Sequence, residues 1–386
     1  MDYFLNEQQV MIRDLARQIA VEKVLPVRAE LDEREEFPWE IMKDLAAADL
    51  FAIFVPEAYG GLGAGIFDMC LAVEELSRAC AGVAVTFASS ALGAFPIILY
   101  GSEEQKSKYL PDIASGKKLA AFGLTEAGAG SDAAAMQTTA RLDGDHYVLN
   151  GTKQWITNGG EAETYSVIAM TNRARGTRGA SAFIVEKGTP GFSFGTKEKK
   201  MGIRSSATRE LIFEDCRVPR ENLLGREGQG FIAAMKTLDK SRPGIGAQAL
   251  GIAQGAYEEA VRYSRERVQF GKPISSFQAV QHMLANMATK IEAARALIYS
   301  VARFQDSGAK DIGVESAMSK LYASDIAMEV TVDAVQILGG YGYMREYPTE
   351  KYMRDAKITQ IYEGTNQIQR NVIGLGVIKR FAGRKK

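Results

Sequence analysis

The chain has 386 residues and carries 47 Lys+Arg against 47 Asp+Glu, so its formal net charge is zero. That length leaves room for two or three domains with sizeable cores. The balanced charge excludes a nucleic-acid binder that works by neutralising phosphates, and 46% hydrophobic residues exclude a disordered chain.

Three cysteines (Cys70, Cys80, Cys216) and two histidines (His146, His282) are too few for a disulfide framework or a Cys/His metal centre. No metal is expected, and a reducing intracellular compartment is the default. The amino terminus is acidic and turns helical at once, without a signal-peptide pattern. A cytoplasmic location follows as an expectation, or an organelle matrix if the chain is a processed one.

Residues 1–118 read as a helical domain. Asn6 followed three residues later by Gln9 predicts a capping box. Met11, Leu15 and Ile19 recur every four residues as one apolar face, and Pro26 ends or kinks that helix. The run Tyr59-Gly60-Gly61-Leu62-Gly63 and the pair Gly101-Ser102 separate later helices. Ala79–Ser102 holds no charge and is long enough to cross a bilayer. It is rich in Ala, Ser, Thr and Gly and interrupted by Pro96, so a helix buried in the domain is expected and no membrane span.

Residues 119–225 change to a period of two. Thr138–Leu142, an Asp143-Gly144-Asp145 turn and His146–Leu149 predict a hairpin. Tyr165–Thr171, Ser181–Glu186 and Glu210–Phe213 are further short strands, which predicts a small antiparallel sandwich or barrel. Residues 226–386 return to the helical period over Gly230–Arg267, Phe277–Asp306 and Val314–Leu338, as in a four-helix bundle, with a stop at Asp306-Ser307-Gly308 and a basic, frayed end from Lys379 to Lys386. The fold class is therefore α+β and multidomain: an all-α domain, an antiparallel β domain and a four-helix bundle.

Two short motifs are false friends. Gly128–Ala133 fits G-x-G-x-x-A, but the residues after it read as a strand, whereas dinucleotide binding needs a helix there. Gly191-Phe192-Ser193-Phe194-Gly195 fits G-x-S-x-G, yet Pro190 marks a loop and only His282 lies downstream. A Ser193 hydrolase is thus the competitor from another enzyme class.

Other segments carry more. Gly123–Asp132 combines small residues and hydroxyls that let backbone N–H groups approach a phosphate. Trp155 beside Thr157 offers a flat ring with a polar neighbour. Arg265–Pro273 concentrates cations at a helix end, Gln336–Tyr343 is a glycine-rich helix stop, and Glu363 stands between Tyr362 and Gly364 with little other charge nearby. A carboxylate in apolar surroundings gains proton affinity and suits a general base for carbon acids. Alone, that segment reads better as a surface glutamate in a loop.

Together, at these spacings, the segments resemble the acyl-CoA dehydrogenase family over essentially the full chain, with 123–135 and 336–355 matching its two signatures. The resemblance implies an FAD-dependent enzyme that takes an acyl-CoA to the trans-2-enoyl-CoA; the alternatives are an acyl-CoA oxidase within the family and the Ser193 hydrolase outside it. It implies that Glu363 removes the α proton while the β hydrogen leaves as hydride to flavin N5, in a closed pocket. Phe122, Leu124, Thr125, Gly130 and Ser131 correspond to the loop touching flavin and diphosphate, with Ser131 also near CoA. Trp155, Ile156 and Thr157 correspond to residues flanking the ring. Arg267, Phe270 and Gln278, with Gln336, Ile337, Leu338, Gly339 and Gly340, resemble positions holding the diphosphate and adenine, partly across a subunit interface.

Thr365 and Gln367 resemble the last FAD contacts, and Asp239, Arg242, Tyr362 and Gly364 resemble positions meeting the acyl-CoA. Some relatives carry the base just before the arginine matching Arg242; that residue is Ser241 here, which cannot serve. The resemblance further implies a homotetramer and an electron-transfer flavoprotein as partner. It also places the uncharged 79–102 segment in the acyl pocket wall.

Overall fold

The first helix, α1 (Glu7–Ile19), starts where its cap dictates. The Asn6 side chain accepts from the Gln9 amide at 2.8 Å, and the Gln9 side chain accepts from the Asn6 amide at 3.1 Å. Its inward residues are Ile12, Ala16 and Ile19, whereas Met11 is 67% exposed. The expected stripe is therefore rotated by one position, and Ile12 and Ala16 take the places assigned to Met11 and Leu15. The helix widens into a π turn over Ala20–Val24 and ends before Pro26, as expected. The computed structural model describes residues 3–382, so the frayed end expected at 383–386 lies outside the described residues.

Five helices complete the first domain: α2 (Arg28–Glu33), α3 (Trp39–Ala47), α4 (Ile66–Ala79), α5 (Ala81–Tyr100) and α6 (Glu103–Ala114). Helix α5 is apolar and long enough to cross a membrane by composition, but most of it is buried inside the fold. Pro96 does not interrupt it; the helix runs through that residue to Tyr100. Asp306, at the far end of the chain, accepts from the Ile66 and Phe67 amides at 2.8 Å each and so caps α4 from another domain.

The middle region forms one sheet from β1 (Ala120–Gly123), β2 (Thr139–Asp143), β3 (His146–Thr157), β4 (Thr164–Met170), β5 (Ala180–Glu186), β6 (Phe192–Phe194), β7 (Thr208–Pro219) and β8 (Leu223–Leu224). The order is β6-β7-β3-β2-β4-β5-β8. The hairpin at Gly144 is present, with Asp143 opposite His146. The sheet is antiparallel except that β1 pairs in parallel with β4, and β2 touches β4 in parallel at Thr139 and Met170. Between Lys153/Leu211 and Ile156/Arg209 the β3–β7 ladder slips, leaving Gln154 and Trp155 opposite Glu210. This bulge gives Trp155 a left-handed φ of 56° and turns its ring outward, 56% exposed, while Lys153 and Ile156 both stay buried.

The third region is built on α7 (Gly230–Glu266), α8 (Gln278–Asp306), α9 (Gly313–Leu338), α10 (Thr349–Thr359) and α11 (Asn366–Ala382). Helices α7, α8, α9 and α11 are the long ones, and α10 is a shorter addition that the periodicity did not reveal. Pro243 sits inside α7, where it cannot donate to the Asp239 carbonyl; Ser316 of α9 takes that carbonyl at 2.6 Å instead. Helix α11 continues into the basic end as far as Ala382, and Arg380 is held by both carboxylate oxygens of Glu315.

Candidate active site

Where the helical domain, the sheet and the bundle meet lies a cavity of about 330 Å³. Helix α5 supplies Val85, Ala88, Ser89 and Leu92; α7 supplies Phe231, Met235, Leu238, Arg242 and Ile245. Phe122, Leu124, Gly130 and Ser131 close one side and Tyr362, Glu363 and Gly364 another. The uncharged segment of the first domain does form part of the wall. A second cavity, about 630 Å³, shares Thr125, Gly130, Ser131, Trp155, Thr157, Tyr362, Glu363 and Gly364 with the first. It extends past Thr365 towards Met201, Ile203 and the α10 residues Arg354 and Ile358. Glu363 thus stands at the junction of two connected spaces, one narrow and apolar, one wider.

Helix α10 ends at Thr359 and α11 starts at Asn366, and the bend between them presents the carboxylate. Glu363 and Gly364 both have positive φ, 52° and 95°. The φ of Gly364 strains any side chain there, and a Cβ would also lie 2.6 Å from the Gln369 side-chain nitrogen, so the position favours glycine. The Glu363 Oε2 accepts from Ser241 Oγ at 2.5 Å. Burial pushes the Glu363 carboxyl up to about 7, against the opposing pull of the Ser241 hydroxyl, Arg242 and Lys320. Arg242, itself buried, is paired with Asp239 at 2.9 Å and donates to the Glu363 carbonyl at 3.4 Å. The Tyr362 hydroxyl donates to Gln248, and burial drives its proton affinity well up.

The glycine-rich loop opposite is held from beneath. Glu126 accepts from the Gln137 and Thr138 amides at 2.5 and 2.9 Å and from Lys153 Nζ at 2.7 Å. Lys153 also donates to the Leu124 carbonyl at 3.1 Å, and burial brings its ammonium down to about 8. Gly130 and Gly128 have no atom within 4 Å of where a Cβ would stand. Hydroxyls at Thr125, Ser131, Thr157 and Thr365, an exposed indole face and open glycine backbone make a donor set that fits a flat, phosphate-bearing cofactor.

Other expected residues lie elsewhere. Arg267, Ile337, Leu338, Gly339 and Gly340 line a separate groove of about 530 Å³ on the bundle, sharing no residue with the first two cavities. Gly339 and Gly340 also face open space. Phe270 is 92% exposed in the turn between the short strands β9 (Val268–Gln269) and β10 (Lys272–Pro273), its ring edge-on to Phe277. Gln278, Gln336 and Gln367 are exposed and line none of the three spaces, and Asp239 reaches neither cavity but grips Arg242. Ser241, which cannot act as a base, is instead the partner of Glu363. Lys320, Lys153, Gln248 and Gln369 were not anticipated; lysines and glutamines in amphipathic runs read as solvent-facing.

The false motifs resolve as expected. At Ala133 a single 3₁₀ turn begins, ending at Ala135, and β2 follows, not a long helix. Ser193 lies within β6 opposite Ile212, with extended chain after it instead of an elbow and helix.

Comparison with known proteins agrees with this geometry. Family models match in chain order: "Acyl-CoA dehydrogenase, N-terminal domain" over residues 6–117, "middle domain" over 121–216 and "C-terminal domain" over 228–378. The chain is 54% identical, with a TM-score of 0.96, to a chain solved in work described as "Electron transferring flavoprotein of Acidaminococcus fermentans: Towards a mechanism of flavin-based electron bifurcation", covering 98% of this chain and 100% of that one. It is 48% identical, also with a TM-score of 0.96, to butyryl-CoA dehydrogenase from Megasphaera elsdenii (98% and 100% covered). An acyl-CoA dehydrogenase complexed with FAD from Bacillus anthracis is 40% identical at a TM-score of 0.92 (99% and 69% covered). The chain belongs to the acyl-CoA dehydrogenase family and is an FAD-dependent oxidoreductase acting on acyl-CoA.

Proposed function

We propose that Glu363 is the base that removes the α proton of a CoA thioester whose short, uncharged acyl group lies in the narrower cavity. The observation that carries this reading is a carboxyl with proton affinity near 7, standing where an apolar slot meets a wider, hydroxyl-lined one. Bound FAD supplies the acceptor for the β hydride. The protein's own part is geometric and electrostatic. Thr125, Ser131, Trp155, Thr157 and Thr365 are the residues that would hold the flavin, and Phe122, Leu124, Gly130 and Ile156 shape its contact with the slot. Among the described residues the Glu363 N–H makes no hydrogen bond, so it is available to the thioester oxygen, where it would favour the enolate.

The slot walls are Val85, Ala88, Leu92, Leu238 and Ile245, and Arg242, the one cation among the described lining residues, is committed to Asp239. An acyl chain without charge follows, and the likeness to a butyryl-CoA dehydrogenase supports a short one. An acyl-CoA series read with an artificial electron acceptor tests this: kcat/KM should peak near four carbons, and octanoyl-CoA should fall at least about tenfold below it, one methylene being worth ~1–3 kcal/mol. Equal turnover of long chains would overturn the short-chain reading.

The likeness to a chain solved in work on an electron-transferring flavoprotein supports such a flavoprotein as electron acceptor. A homotetramer is supported by the separate groove at Arg267 and Gly339–Gly340 and by the exposed Phe270, which the chain alone leaves uncovered. Light scattering of the holoenzyme measures the assembly directly.

A further inference from the structure

The bend that carries Glu363 is not tied down by its own helices alone. Lys320, in the middle of α9 and fully buried, sends its Nζ to the Gly364 carbonyl and to the Asn366 side-chain oxygen, both at 2.8 Å. Asn366 is locked in turn, donating to Ser324 at 2.9 Å and to Asp325 at 2.7 Å. The two carbonyls of the left-handed pair are otherwise met by Arg242 (Glu363, 3.4 Å) and by Gln369 (3.2 and 3.0 Å). We propose that Lys320 is the positioning residue of the Glu363 base: through Gly364 and Asn366 it fixes the strained backbone that aims the carboxylate. This rests on Glu363 being the base.

Three observations separate this from ordinary helix packing. Lys320 forms no ion pair among the described residues, although buried lysines are almost always paired. Its two acceptors lie one and three residues after Glu363, so any movement of its Nζ is transmitted to the base. Burial brings its ammonium down to about 7, with Glu363 the leading opposing influence, so the two groups sense each other. The charged groups around the pair are Arg242 and Asp239 of α7, Asp325 of α9 and Arg370 of α11, which holds Asp325 at 2.7 Å.

The test is anaerobic bleaching of the enzyme-bound flavin by butyryl-CoA, followed from pH 5.5 to 9 for the holoenzyme and for Lys320→Met, Lys320→Gln and Glu363→Gln. Lys320→Met should keep its FAD and melt within a few degrees of wild type. Its bleaching rate should fall roughly 10- to 100-fold with the concentration for half-maximal rate changed less than about threefold, and its acid limb should move to higher pH, since a carboxyl loses a cationic neighbour. Lys320→Gln keeps a donor without charge; it should lose less rate yet show the same displacement of the limb. A wild-type rate and limb in Lys320→Met overturns the proposal, as does a rate loss that only follows lost FAD. Should Lys320→Met not fold, an unmoved limb in Lys320→Gln overturns it. Retained bleaching in Glu363→Gln overturns the base assignment, whereas a dead Glu363→Gln beside wild-type-like Lys320 variants removes this inference alone.

Discussion

The two loops that face each other across the cavities are held by the same device put to opposite use. On the sheet side, buried Lys153 clamps a loop carbonyl (Leu124) and a carboxylate (Glu126). On the bundle side, buried Lys320 clamps a loop carbonyl (Gly364) and a neutral amide oxygen (Asn366). In the first loop cation and anion cancel, and the carboxyl of Glu126 is held below its usual range in spite of burial. In the second the nearby carboxyl, Glu363, is left unpaired and rises to about 7. A buried charge pair makes a rigid floor; a buried cation at one remove gives rigidity while offsetting only part of the rise that burial gives the base.

Breaking the bundle side has the largest expected effect. Glu363→Gln should slow flavin bleaching by roughly 10³-fold with FAD retained, within the range general-base catalysis contributes. In wild type the rate should rise with pH through about 7, as the carboxyl ionises. The same residue makes a stability prediction of definite sign. Its carboxyl binds a proton more tightly folded (about 7) than at its ordinary value of 4.5, so ionising it costs stability progressively as pH rises between those values. Glu363→Gln should therefore be more stable than wild type by about 3 kcal/mol at pH 8 and no more stable at pH 4, a contrast that paired thermal melts would expose. Equal melts at pH 8 would mean that Glu363 is well solvated.

Breaking the sheet side tests the floor. Lys153→Met strands Glu126 without its cation and should cost about 3–5 kcal/mol, seen as a lower melting point and weakened FAD retention. If FAD stays bound with unchanged affinity, the Gly123–Asp132 loop does not depend on the pair. Smaller still, Ser241→Ala removes a donor from the Glu363 carboxylate and should move the acid limb of bleaching up by about one pH unit, with rate at pH 9 nearly unchanged. Smallest is Ser193→Ala, which should leave both activity and stability within about 0.5 kcal/mol of wild type; loss of activity there would revive hydrolase chemistry.

What could be read in advance followed periodicity and local capping. The Asn6–Gln9 box, the Gly144 hairpin, the stop at Asp306–Gly308 and the buried α5 all depend on neighbours within a turn or a strand pair. What escaped depends on contacts far apart in the chain. Met11 and Ile12 are adjacent and both apolar, so only packing decides which one faces inward. Lys320 carries a charge in a helix and reads as solvent-facing until Gly364 and Asn366, some forty residues later, fold over it. Ser241 was dismissed on its own chemistry, which is correct, yet its value is as a donor to a carboxylate 122 residues away. Pro96 reads as a break, but the buried helix carries through it; α7 runs through Pro243 as its period implies, with Ser316 taking the carbonyl that was freed.

The bulge in β3 has a consequence for how this enzyme can change. Because one additional residue sits between Lys153 and Ile156, the strand switches parity at Trp155. Excising a single amino acid there would leave Lys153 and Ile156 facing inward in regular alternation and Asn158 on its helix and strand carbonyls, but it would abolish the left-handed step that turns the indole out beside the cavity. Point replacements at this spot are tolerable experiments, whereas length changes are not, and related chains should differ there in side chain but not in spacing.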